Sequence, residues 1–297
     1  MKRRDFLKTM AAGTTIACSS NIFANTAKSK VFQINMEYSA DFKSTKDIKL
    51  YVPLPTPTAF QKISDFKIQG NFASHQIAMF EGYPFVFAEF NSDQLPQKIL
   101  KTSFKVEVFP NQVYALKKNE DSKQFIKQTR YIRTDGKIEE ISNKASSMSK
   151  QDKISYFRKF IAKNLDQQEI AFSEKIKTIR DKDQNTILSG ENISGNSILV
   201  ALCRASKIPA REIFGFIIQD NKLIATNKAE VLINQQWHLI DTTAKNHQDF
   251  IAFNHLRDIY INQIYAPSAH RIIGSIDSNN LKYYQDLSQN LKVYAIA

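Results

Sequence analysis

Between Val31 and Leu116 apolar and polar residues alternate with a period of two. The segments VFQINMEYSA (31–40), DIKLYVPLPTP (47–57), FKIQGN (66–71), GYPFVFAEF (82–90) and ILKTSFKVEVFPNQVYAL (99–116) are separated by polar, Gly and Pro turns. This texture predicts antiparallel strands of a half-exposed sheet or sandwich, an N-terminal β-domain over 31–118. Pro53, Pro55 and Pro57 crowd the end of one strand, where a missing amide donor is harmless only at an edge or outside the ladder. Residues 119–147, which include most of KKNEDSKQ and SNKASSMSK, are polar and broken and read as a surface linker.

From residue 148 the period lengthens. Ile154, Phe157 and Ile161 share one helical face, and Glu169 to Ile179 predicts a second, shorter amphipathic segment. After a turn-rich stretch to Gly190, Ser197 to Ala205 is apolar nearly all round, the mark of a buried central helix that stops before Pro209. Glu212 to Ile218, Ala229 to Ile233 and Gln236 to Asp241 read as strands, the last two joined by a tight hairpin at Asn234-Gln235. The expected fold class is α+β: an antiparallel β-sandwich-like domain, then a domain over 148–297 with a central helix packed on an antiparallel sheet.

Composition adds a compartment to this picture. The chain has 297 residues, 42% hydrophobic, with 8 Gly and 8 Pro, which excludes a disordered or collagenous chain. Its two cysteines, Cys18 and Cys203, exclude a disulfide-stapled scaffold or a Cys-rich metal centre. Residues 1–27 set basic residues before a short apolar run and small residues suited to cleavage after Ala24 or Ala27, an export leader. The apolar run is far shorter than the roughly 20 residues that span a bilayer. Arg3-Arg4-Asp5-Phe6-Leu7-Lys8 matches the twin-arginine pattern, which predicts a periplasmic protein. Thr15-Ile16-Ala17-Cys18 offers a lipid anchor through Cys18 as the alternative. The net charge of +12 falls to about +9 once residues 1–24, with four cations and one anion, are removed. The positive balance therefore belongs to the mature chain.

The stretch GENISGNSILVALCRASKIPAREIFGF (190–216) resembles the signature of the transglutaminase-like superfamily, shared by transglutaminases, peptide N-glycanases and papain-like bacterial peptidases and amidases. Leu202-Cys203-Arg204-Ala205 and Ile208-Pro209-Ala210-Arg211 carry the likeness, as does Trp237 followed by Asp241-Thr242-Thr243. A β-domain with a Tyr-Val-Pro-Leu-Pro stretch, as at 51–55, precedes the catalytic domain in many exported bacterial members. The resemblance implies a Cys-His-Asp reaction centre in which a thiolate attacks a Gln or peptide carbonyl, a His takes the proton and an Asp holds the imidazole.

Transferred by spacing, the nucleophile position falls on Asn192, two residues after Gly190, and the base position on Thr226, four before Glu230. Of the three positions only the orienting acid, Asp241, keeps its chemistry. Neither an amide nor a threonine hydroxyl replaces a thiolate or an imidazole. Cys203 lies 11 residues past Asn192, roughly 16 Å along a helix, and reads as a packed structural thiol. His238 falls on the strand face opposite Trp237, Leu239 and Asp241, and the remaining histidines lack metal-ligand spacing. Asn192 suits a helix cap; Gly190, Arg211 and Trp237 read as supporting or cleft residues.

These readings predict an exported, catalytically inactive transglutaminase-like protein with a structural, binding or accessory role in the cell envelope. The alternative is an active cysteine-type amidase, peptidase or acyltransferase on peptide or peptidoglycan-like substrates. The expected partner is a protein, a peptide or an anionic envelope polymer. No nucleic-acid motif, cofactor site or metal site is expected, and no transmembrane segment in the mature chain.

Overall fold

The computed structural model describes residues 29–41, 47–80, 83–91, 97–109, 113–129, 131–173, 175–242, 249–254, 271–275, 281–283 and 287–296. The expected leader, with Cys18, lies outside them, as do Thr243, His247, His255 and His270. No helix among the described residues is long and apolar enough to cross a membrane.

The N-terminal region contributes β1 (Lys30–Asp41), β2 (Asp47–Pro53), β3 (Gln61–Gly70), β4 (Ser74–Phe80), β5 (Tyr83–Asn91), β6 (Gln97–Val108) and β7 (Val113–Ala115). A 3-10 turn (Ser122–Ile126) leads to α1 (Lys137–Asn143), α2 (Lys150–Asn164), α3 (Gln167–Ile170), β8 (Lys177–Arg180) and β9 (Thr186–Gly190). Then come α4 (Gly195–Ala205), β10 (Ala210–Gln219), β11 (Lys222–Ile233), β12 (Gln236–Ile240) and β13 (Phe250–Asn254). The chain closes with β14 (Arg271–Ser275), β15 (Leu281–Tyr283) and β16 (Leu287–Ile296). The expected α+β class is present.

The period-two alternation builds two facing sheets. One is ordered β16-β1-β6-β3 and the other β15-β14-β2-β5-β4. Phe32, Ile34, Met36 and Tyr38 of β1 and Leu100, Phe104 and Val106 of β6 meet Val52, Val86, Ala88 and Phe90 from the opposite sheet in one apolar core. The end of the chain returns to this sandwich, since β16 pairs with β1 from Val31↔Ile296 to Ala40↔Leu287, and β14 pairs with β2.

A third sheet, ordered β13-β10-β11-β12-β7, carries the helices on one face. The central helix α4 buries Ile198 to Cys203 against Ala210, Ala229 and Val231, while Ile154, Phe157 and Ile161 of α2 cover its other side. The β11-β12 hairpin turns through Asn234 (φ 50°) and Gln235 (φ 63°), the two left-handed residues that such a turn requires. A second hairpin, at Asp220 (φ 50°) and Asn221 (φ 57°), joins β10 to β11, so β11 starts well before the expected Ala229. The amphipathic segment expected over Glu169 to Ile179 is instead one short helical turn followed by β8, because Ile179 pairs with Leu188 of β9 and the hairpin takes the backbone hydrogen bonds. Residues 119–147, expected as a surface linker, hold the 3-10 turn and α1 and bury Phe125, Ile132, Ile138 and Ile141.

The sandwich is fastened to the third sheet by a buried side chain. Gln61 donates through Nε2 to the carbonyls of Thr56 (2.6 Å) and Ala252 (2.7 Å) and accepts from the Ala252 amide at 2.8 Å. Phe216, Ile251 and Phe253 of β10 and β13 extend into the sandwich core. At a register shift between β10 and β13, Gly215 lies so close to its neighbour that a Cβ there would sit 1.9 Å from the Ile251 carbonyl oxygen. Gly190 has no such constraint, with Ile193 at 3.6 Å from the same hypothetical atom. Accordingly Gly215→Ala is expected to lose about 3 kcal/mol or more in urea denaturation, and Gly190→Ala less than about 1 kcal/mol. Equal losses would contradict the close approach.

Candidate functional site

The site begins where α4 begins. Ser194, not Asn192, caps the helix: its hydroxyl accepts from the Asn196 amide at 3.0 Å, and Ser197 Oγ accepts from the Ser194 amide at 3.0 Å. This reciprocal cap satisfies amides that would otherwise be stranded at a buried helix end. Asn192 stands two residues earlier in a left-handed conformation (φ 56°), buried in the loop that follows β9. Gly195 lets the first turn approach the end of β12 closely; a Cβ there would meet Thr242 Oγ1 at 2.7 Å.

Around this cap the strands place a closed set of polar side chains. Asn227 of β11 accepts the Ser194 hydroxyl on Oδ1 and donates through Nδ2 to Ser197 Oγ (3.0 Å) and to Glu212 Oε1 (2.7 Å). Ser197 also donates to Glu212 Oε1 at 2.5 Å. Asn196 donates to the Asn227 carbonyl at 2.9 Å, and its Oδ1 accepts the Thr242 amide (2.8 Å) and hydroxyl (3.1 Å). Ser197, Glu212 and Asn227 have no exposed surface, and Ser194 and Asn196 almost none. The Glu212 carboxylate thus receives two side-chain donors near the positive end of α4, which is what makes a buried acid affordable.

Of the expected triad positions, Thr226 does not face this point. Ala229 and Val231 turn toward α4, and so does Asn227 by strand alternation; Thr226, Lys228 and Glu230 turn to the other face. Thr226 lies opposite Gly215, and its hydroxyl donates to the Asn227 carbonyl at 3.3 Å. Asp241 stands 3.8 Å from Lys228 Nζ, whose charge also lies 5.1 Å from the Phe250 ring. The residue that β11 presents to the start of α4 is therefore Asn227, one position from the expected Thr226. Register also places His238 opposite Val231, on the α4 side, and Trp237 and Leu239 opposite Leu232 and Glu230 on the far side.

Arg211 and Trp237 support the far side of the sheet. Arg211 donates to Glu230 (2.7 Å), to Tyr114 Oη (2.9 Å) and to Glu120, and its guanidinium stacks 4.1 Å from the Trp237 ring and 5.0 Å from Phe125. Trp237 Nε1 donates to Glu120 at 3.3 Å, and Tyr114 donates to Glu230 at 2.5 Å. Burial, with the Glu230 charge adding to it, pushes the Tyr114 phenol well above its usual range. Arg211 is held in its charged form by Glu230, Tyr114 and Glu120, which outweigh its burial. This cluster joins residues 114–125 to β10, β11 and β12.

Two groups with reactive side chains lie near α4. Cys203 is fully buried, and burial pushes its thiol far above the ordinary range, away from the thiolate that attacks. Half-buried His238 is shifted down, chiefly by burial, with a backbone contact at Ile233 opposing it. Among the described residues no three His, Cys, Asp or Glu side chains are grouped to hold a metal ion. The residues that sequence spacing missed left a trace all the same. Ser194 and Ser197 form the S-x-x-S start of an apolar helix, and Glu212 and Asn227 are polar interruptions in buried strands.

The chain thus starts a buried helix against an antiparallel sheet, with a β-sandwich before it. A crystal structure from Cytophaga hutchinsonii, described as a candidate cysteine protease, matches it with a TM-score of 0.58 and 14% identity over 91% of this chain and 92% of that one. That likeness concerns the fold alone. An uncharacterized protein of Haemophilus influenzae is 25% identical over 241 residues, 70% of this chain. The chain spans 63% of the length of that curated relative. No protein-family model matches the chain.

Lys228 supplies a test of the site's electrostatics. Burial pushes its pKa down from 10.5 to about 8, against the opposing pull of Asp241. The folded state therefore binds this proton less tightly than the unfolded chain, so folding is penalised below pH 8 and the penalty lifts as pH rises from 8 toward 10.5. The unfolding free energy of the wild type relative to Lys228→Met is expected to rise by about 3 kcal/mol across that window. A difference that stays flat or falls, measured by urea titration at each pH, would contradict the buried charge.

Proposed function

We propose that the chain is an exported protein of transglutaminase-like ancestry that has lost catalysis and serves a binding or accessory role in the cell envelope. The observation that carries this reading is the closed network at the start of α4. The start of α4, two residues after the position at Asn192 where the resemblance would put a thiolate, holds Ser194, Asn196, Ser197, Glu212, Asn227 and Thr242, bonded to one another. Every donor and acceptor used there is taken from chemistry and committed to holding the helix on the sheet.

At this helix start the hydroxyl beside a carboxylate, Ser197 with Glu212, resembles an activated nucleophile in composition only. Ser197 Oγ already accepts from Ser194 and Asn227 while donating to Glu212, and it has no exposed surface on which a carbonyl could approach. The leader pattern at Arg3-Arg4 supports export, with residues 1–27 removed or, in the second form, Cys18 as an anchor. The division of the chain proposed here differs from the expected bounds of 31–118, 119–147 and 148–297: the β-domain starts at 31 and takes back the C-terminal strands β14 to β16, while the transglutaminase-like domain built on the third sheet takes in β7 and the 119–147 stretch.

The purified mature protein, incubated with peptide amides, Gln-containing peptides and peptidoglycan fragments, is expected to release no ammonia and cleave no bond above the buffer rate. Turnover by the wild type that disappears in an Asp241→Asn variant with an unchanged melting curve would overturn the reading in favour of the cysteine-type amidase or peptidase class.

A further inference from the structure

The outer face of the four-stranded sheet carries a groove of 340 Å³, separate from the polar network at the start of α4. Its inner face is the apolar wall of the sandwich core, so by strand alternation every residue between those core positions points outward. Pairing brings these into two rungs that cross the strands. One runs Lys292, Asn35, Ser103, Lys67 across β16, β1, β6 and β3. The next runs Asn290, Glu37, Lys101, Gln69. A bulge in β3 between Ser64 and Lys67, with Asp65 at φ 53°, bends the edge strand beside the groove.

The charges in these rungs are unequal. Glu37 is neutralised by Lys101 at 2.7 Å, whereas Lys67 and Lys292, at opposite ends of the first rung, make no ion pair among the described residues. Their strands are separated by two others, roughly 14 Å in all at the usual spacing. Between them lie amide and hydroxyl groups that both donate and accept, and beside Lys292 the Tyr294 ring is 52% exposed. We propose that this groove binds a strand of acidic polysaccharide, with the carboxylates held by Lys67 and Lys292, the sugar hydroxyls by Asn35, Ser103, Asn290 and Gln69, and a ring face by Tyr294. The polar lining lacks the apolar centre of a protein interface and the repeated aromatic platforms that bind single-stranded nucleic acid. A basic protein exposed to the envelope meets such a polymer at high local concentration.

This inference rests on the accessory reading above and supplies its partner; its failure would leave the absence of catalysis untouched, since neither lysine is near α4. The test measures binding of oligogalacturonate, with a neutral glucan oligomer and polyphosphate as comparison probes, to the mature protein by calorimetry. Oligogalacturonate is expected to bind and the neutral glucan is not. Lys67→Gln with Lys292→Gln is expected to weaken that binding about tenfold, while Lys159→Gln with Lys163→Gln, the same charge change on the exposed face of α2, alters it less than about twofold. Tyr294→Ala is expected to weaken oligogalacturonate without changing the response to polyphosphate. All these positions are exposed, so the variants keep the fold, which a melting curve verifies. No binding of oligogalacturonate, equal losses for the two lysine pairs, or tighter binding of polyphosphate than of the uronate would each overturn the proposal.

Discussion

The second half of this protein is organised by one buried amide. Asn227 sits with no exposed surface between a helix start and two strands, and every polar atom of its side chain is used. The constraint behind it is general. A helix that begins inside a protein brings free amides into a place without water, and each left unsatisfied costs on the order of 1–3 kcal/mol. Ser194 and Ser197 answer that demand locally, but their hydroxyls then need partners of their own. Asn227 and Glu212 supply them from β11 and β10, and Asn196 ties the same turn to Thr242. The absence of a side chain at Gly195 follows from the same crowding.

The two faces of the third sheet have consequently separate tasks. On the α4 side a polar cap that holds the Glu212 carboxylate merges into an apolar helix packing that includes Cys203, followed by the buried Arg204, which donates to the Ala210 carbonyl. On the other side the charges are paired with one another: Arg211 with Glu230 and Glu120, Lys228 with Asp241. The first of these pairings, stacked on Trp237 and Phe125, draws the 114–125 stretch onto the sheet. Gln61 performs the equivalent task for the sandwich, bonding both backbone groups of Ala252. Since β14, β15 and β16 return to the first two sheets, the chain crosses between its two halves more than once. A groove on the sandwich is therefore carried on a scaffold braced from both ends of the sequence.

Much of this was readable from residue order, for identifiable reasons. Half-exposed strands announce themselves by alternation, and β1, β5 and β6 appear where alternation places them. Asn234-Gln235 forecast its hairpin because few residue pairs tolerate two left-handed conformations. The segment after Glu169 misled because an apolar spacing compatible with a helix is also compatible with a short strand, and β9 was there to pair with it. The linker expectation failed to anticipate a buried Phe125, whose partners Trp237 and Arg211 lie 112 and 86 residues away in sequence. On β11 the residue that faces the start of α4 is Asn227, one position from the expected Thr226. Counting four back from Glu230 reaches Thr226, but Glu230 faces Arg211 and Tyr114 instead of α4, so that count stays on the wrong face of β11. Spacing preserves a strand face only when the reference residue itself points to the site.

Native-state hydrogen exchange reads the closure of the network at the start of α4 directly. The amides of Asn196 and Thr242 donate to Ser194 Oγ and Asn196 Oδ1 inside the network. Both are predicted to exchange only when the whole domain unfolds, with an opening free energy equal to that of the buried amides in the middle of α4. Exchange through a smaller local opening, faster than those core amides by orders of magnitude, would show a site that opens to solvent and would contradict the account.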